Sequence, residues 1–114
     1  MKKWEQLEQY ICEQLKEIDP TIRRTPGSGN GHKKGDVTCQ TNVGIHVEAK
    51  QRNTRNVWKK EWLSKCASEI PLHVEKIPIV VTQDGKEERI VHLKADDFFN
   101  LYKKLWRYEN GKSI

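Results

Sequence analysis

The stretch Gly35–Lys50, GDVTCQTNVGIHVEAK, decides how this chain reads. Val37, Cys39, Ile45 and Val47 are apolar and odd-numbered, whereas Asp36, Thr38, His46, Glu48 and Lys50 are polar and even-numbered. A period of two is the signature of a half-buried strand. Asn42-Val43-Gly44 supplies turn chemistry between the two runs, so the spacing predicts a β-hairpin. Parity then puts Glu48 and Lys50 on one side of their strand, away from the core. Pairing across the turn would bring Asp36 to the same side. Two carboxylates and an ammonium on one polar surface are the minimum set for holding a divalent cation against a phosphate.

Outward from the hairpin, the bounds are simple. A chain of 114 residues suggests one domain, residues 1–114, with a small core. Hydrophobic residues make up only 35%, but four Trp on periodic stripes argue for a folded chain. A net charge of +5 favours a polyanionic partner, of which nucleic acid is the commonest. No apolar run approaches the ~20 residues that cross a bilayer. The start, MKKWEQLEQYI, carries charges within its apolar pattern and reads as an amphipathic helix, not a signal peptide. Cys12, Cys39 and Cys66 are odd in number and form no CxxC pair. They suit reduced thiols in a cytoplasmic compartment better than a zinc site or a disulfide framework.

Before the hairpin, Trp4, Leu7, Ile11, Leu15 and Ile18 recur at steps of three or four and predict a helix from Lys2 to Ile18. Asp19-Pro20 is expected to end it. Glu5 and Glu8 flank the apolar stripe. Thr21 to Thr25 reads as extended, and Pro26 to Gly31 as a loop. The basic residues Arg23, Arg24, Lys33 and Lys34 flank that loop, an arrangement able to follow a nucleic-acid backbone. Neither a P-loop nor a dinucleotide fingerprint fits its glycines. After the hairpin, Gln51 to Asn56 is polar and basic. Trp58, Trp62, Cys66 and Ile70 predict a second helix over 57–69, with Lys59, Lys60 and Lys65 off its stripe. Ile77 to Thr82 is a continuous apolar run, as in a strand buried on both faces. Asp84-Gly85 predicts a turn into a strand over 88–93. A last helix, capped by Asp96 or Asp97, presents Phe98, Leu101, Leu105 and Tyr108 on one face. The tail 110–114 is expected to fray. This order predicts an α/β fold, a mixed central β-sheet flanked by helices.

The pattern resembles the PD-(D/E)XK nucleases, whose motif stands here as Gly35-Asp36, then Glu48-Ala49-Lys50, with Gly35 in place of the proline. Over roughly residues 5 to 82 the chain looks most like archaeal-type Holliday junction resolvases and their small phage relatives. Glu8 stands for the glutamate of the opening helix, with Glu5 as second choice, and Arg24 and Gly27-Ser28 for the strand end and small-residue loop that follow. The resemblance implies a restriction-endonuclease-like core and hydrolysis of branched DNA to a 5′-phosphate and a 3′-hydroxyl. It implies Mg²⁺ (or Mn²⁺) held by Asp36, Glu48, the Ala49 carbonyl and Glu8, with Lys50 orienting water or stabilising charge. DNA is expected to meet Arg23, Arg24, Ser28, Lys33, Lys34, Gln51, Arg52, Arg55 and Lys59. It further implies a homodimer, joined through the second helix or the Ile77 strand region, and the host-cell cytoplasm if the chain is phage-encoded.

Four other readings compete. A flap, nicking or restriction-like nuclease would use the same residues. A non-catalytic DNA-binding module would not need Asp36, Glu48 and Lys50 intact. Those three residues as a solvated strand face with a salt bridge would need no function at all. A protein-interaction domain has only composition in its favour. His32, His46, His73 and His92 show no metal-like spacing, and His46 is expected to be exposed.

Overall fold

The computed structural model describes residues 3–24, 37–38, 44–52 and 58–111. In chain order these form α1 (Lys3–Leu15), β1 (Arg23–Arg24), β2 (Val37–Thr38), β3 (Ile45–Arg52), α2 (Lys60–Ser68), β4 (Ile77–Asp84), β5 (Arg89–His92) and α3 (Ala95–Glu109). The expected α/β class holds: β3, β4 and β5 make a mixed sheet in that order, and α1 and α2 pack on it.

The hairpin does not form as expected among the described residues. β2 pairs antiparallel with β1, Arg23 opposite Thr38 and Arg24 opposite Val37. β3 pairs in parallel with β4, from Ile45 opposite Ile77 to Arg52 opposite Asp84. Alternation names a strand and its two faces but carries no information about its partner. The long apolar β4 settles the matter by taking neighbours on both edges, β3 in parallel and β5 antiparallel. A parallel pair needs a crossover connection, and α2 lies within it.

The crossover overturns a second expectation. Both faces of β3 are covered. Odd residues meet α1: Val47 joins Leu7, Ile11 and Val81 in one buried cluster, with Ile45 and Ala49 against it. Even residues meet α2, where Trp62, Cys66 and Val80 form the other cluster. His46, expected at the surface, is only 8% exposed. Cys66, with no exposed surface, donates from Sγ to the His46 carbonyl at 3.3 Å and draws α2 down onto β3. Cys12 and Cys66 are both buried in the core and in no disulfide.

Element ends shift for local reasons. α1 stops at Leu15, before the proline acts, and Ile18 lies 70% exposed in the turn that follows. Asp19 makes that turn: its Oδ1 accepts from the Thr21 amide at 2.9 Å and the Thr21 hydroxyl at 2.7 Å. α2 begins at Lys60, so Trp58 precedes it. α3 is capped by Lys94 without a side-chain bond, and Asp96 and Asp97 lie in its first turn instead. There their charge suits the positive helix end. Gly85, at φ +58°, makes the β4–β5 turn in a backbone region that side chains disfavour. No residue of α3 is buried, so the apolar face expected to pack on the sheet is left open. Among the described residues no helix is long and apolar enough to cross a membrane.

Candidate functional site

The even face of β3 reads His46, Glu48, Lys50, Arg52 along the strand, and α2 runs back across it. The end of α2 therefore returns to the start of β3, and Glu69, its C-cap residue, arrives beside His46 and Glu48. One ligand atom from each of the three lies within 4.8 Å of the others. His46 Nε2 and Glu69 Oε1 are 3.5 Å apart.

Glu48 and Glu69 thus bring two carboxyl groups to the same point, with the His46 imidazole beside them. Partial burial pushes the Glu69 carboxyl up. The bonds to Glu48 and His46, with the attraction of His46 and Lys65, outweigh that and hold it below the ordinary carboxylate value. Two oxygen donors and an imidazole fit a divalent ion of the Mn²⁺ kind well, and Mg²⁺ through the carboxylates.

Further along the same face the charge changes sign. Trp62 lies under Arg52, whose guanidinium carbon is 4.0 Å from the ring centroid, and under Lys50, whose Nζ is 5.9 Å from it. Trp62 itself is 9% exposed, so α2 supplies a buried ring as the floor for two cations. Next along the sheet, Thr82 Oγ1 and His92 Nε2 are 2.8 Å apart, and Trp58 stacks on His92 with centroids 4.0 Å apart. Burial pushes the His92 imidazole below its ordinary value, and Asp84 opposes this in part.

The residues singled out in the sequence are thereby distributed unevenly. Glu48 and Lys50 share a face, as their parity requires. Glu8 is 5% exposed on α1, the helix packed against the opposite face of the sheet. Glu5 is on α1 too. Ala49 packs toward the α1 cluster. Gln51 donates from its amide to the Gly85 carbonyl at 2.9 Å and so ties β3 to the β4–β5 turn. Lys59 is exposed at the start of α2. Arg23 and Arg24 form β1. Asp36, Ser28, Lys33, Lys34 and Arg55 lie outside the described residues. Sequence reasoning missed Glu69 altogether. The signal was the crossover: a helix between parallel strands returns its last turn to the start of the first strand.

Family models, curated proteins and solved structures give no match to this chain.

Proposed function

We propose that this protein is a metal-dependent DNA endonuclease of the PD-(D/E)XK kind, acting on branched DNA such as a Holliday junction. The observation that carries the reading is the pairing of Glu48 and Lys50 on one face of β3, with His46 and Glu69 gathered at Glu48. Glu48 and Glu69 would hold the ion, with His46 as the third ligand, and Asp36 is proposed to join them from the preceding segment. A bound Mg²⁺ or Mn²⁺ supplies charge against the phosphate and acidifies a water. Lys50 carries its ammonium on the same face and stabilises charge on the phosphoryl oxygens. Trp62 beneath Lys50 and Arg52 limits where those two cations can lie. The excess of Lys and Arg over Asp and Glu, 21 to 16, draws the polyanion in. Two copies belong to the proposal, because paired cuts across a junction need two sites.

One observation favours a second reading, a DNA-binding module without catalysis: Glu69 is already engaged by His46, at 3.5 Å. A single experiment separates the two. A labelled four-way junction is compared with flap, nicked, linear duplex and single-stranded DNA, in Mg²⁺ or Mn²⁺ and then EDTA. Asp36→Asn, Glu48→Gln and Lys50→Ala run alongside. Paired symmetric cuts confined to the junction, lost in all three variants and in EDTA, are expected. Cuts in flaps, nicked or linear duplex would keep the site and change the substrate. Binding of DNA with no cutting under any metal would leave the binding module.

A further inference from the structure

α3 carries an amphipathic pattern whose apolar side is met by no other described helix or strand along its length. Phe98, Leu101, Tyr102, Leu105 and Tyr108 recur at steps of three and four, and Phe99 widens the stripe to about half the helix circumference. Their exposures run from 39% at Leu101 to 83% at Tyr108. No described element packs along this helix. Phe and Tyr are poor helix formers, so helix stability alone gives no reason for so many of them. The four aromatic rings, at about 150–250 Å² each, offer several hundred Å² of the roughly 800 Å² that each partner of a standard interface buries.

The charges on α3 say what covers it. Asp97 and Lys104, seven residues apart, lie on one edge of the apolar stripe. Asp96 and Lys103, also seven apart, lie on the other. When two such helices pack antiparallel about a two-fold axis, each edge meets its own copy running the opposite way. Every Asp then faces a Lys, on both edges and at both ends. Parallel packing would set Asp against Asp and Lys against Lys. The helix also sums to zero charge: Asp96, Asp97 and Glu109 against Lys103, Lys104 and Arg107. An anionic lipid surface or a DNA backbone therefore gains no net attraction from it.

We propose that α3 is the dimerisation element of this protein, packing antiparallel on the α3 of a second copy. The nuclease reading already asks for two copies; what is new is the surface that joins them, which stands on α3 alone, and its test needs neither DNA nor metal. Sedimentation equilibrium of the full chain should show a reversible monomer–dimer equilibrium. Tyr102→Glu with Leu105→Glu should leave a monomer whose circular dichroism and thermal transition match the parent, since neither residue is buried. Asp96→Lys with Asp97→Lys, and Lys103→Glu with Lys104→Glu, should each weaken the dimer by roughly tenfold or more at low salt. Mixing those two variants should restore it as a heterodimer. A chain that stays monomeric at every concentration overturns the proposal, as does a dimer indifferent to Tyr102→Glu and Leu105→Glu. A dimer unchanged by both charge reversals overturns the antiparallel packing. A monomer that co-sediments with phosphatidylserine vesicles would make α3 a membrane face instead.

Discussion

The two faces of the β3–β4–β5 sheet are covered by different physics. Under α1 the contact is dry: Leu7, Ile11, Val47 and Val81 have little or no exposed surface and touch one another. Under α2 the buried apolar cluster among the described residues is Trp62, Cys66 and Val80, with Leu63 against it, and polar groups surround it. His46, Glu48 and Glu69 stand at one end, Lys50 and Arg52 over Trp62, and Thr82 and His92 beside Trp58. The first face contributes stability. The second gives up part of that contribution, since buried polar groups add little net free energy even when paired. What it holds in exchange is a set of groups able to bind an ion and an anion. The difference gives one helix the scaffold and leaves the other over the groups on which the proposed chemistry rests.

The sharpest way to break this division is to cut into the dry face. Leu7→Ala removes a side chain with no exposed surface and should cost about 2–5 kcal/mol. Urea denaturation at fixed ionic strength measures it. Mn²⁺ affinity of the fraction still folded should be unchanged. A loss of affinity as large as that of a ligand variant would mean the faces are not independent.

The reverse test leaves stability and removes chemistry. Glu69→Gln keeps a group that can bond Glu48 and His46 but removes the anion. Its unfolding free energy should move by less than about 1 kcal/mol. Its Mn²⁺ affinity by calorimetry should fall about 10–100-fold, the scale of losing a charged group at a metal site. Equal affinity in the parent and in Glu69→Gln would remove Glu69 from the site.

The two faces also differ in how far the sequence announced them. The α1 face was legible because Leu7, Ile11, Val47 and Val81 each sit on the period proper to its element. The strand content of β3, β4 and β5, the turn at Gly85 and the run of α3 were legible for the same reason. The α2 face was half legible. Parity grouped His46, Glu48 and Lys50 but could not say that a helix would cover them. Glu69 had no local signature, since a glutamate ending a helix before Pro71 is commonplace. Only the choice of β4 as β3's partner brings it home, and that choice rests on long-range pairing. Glu8 shows the converse. Helix phase placed it on the flank of α1, but phase does not say which side of the sheet the helix will take.

A smaller change sharpens the comparison within the α2 face itself. Arg52 lies over Trp62, and its Nε is buried without a hydrogen-bond partner. Arg52→Met keeps the apolar stem and removes the cation. The lost cation–π attraction, about 0.5–2 kcal/mol, is offset by release of the unsatisfied N–H, so the net loss should stay below about 1 kcal/mol. DNA affinity should fall more clearly, with a shallower salt dependence. A stability loss as large as that of Leu7→Ala would make Arg52 part of the scaffold.

The smallest expected effect is a pH dependence at the far edge of the α2 face. His92 sits against Trp58 and Thr82, with its imidazole held below the ordinary value of 6.5 by burial and partly restored by Asp84. Above that ordinary value neither the folded nor the unfolded chain protonates this ring, and its packing contributes in full. As pH falls below it, the unfolded chain takes up the proton first. Stability then declines until the pH passes the folded value, and levels off beneath it. The urea midpoint should therefore be flat on the alkaline side of 6.5 and drop on the acid side. His92→Gln can still bond Thr82 but cannot titrate, so it should remove the part of the drop that begins nearest 6.5. The carboxylates titrate at lower pH and leave that part untouched. If the parent and His92→Gln fall together from the same pH, the ring is not the group responsible, and the α2 face is held by contacts indifferent to its charge.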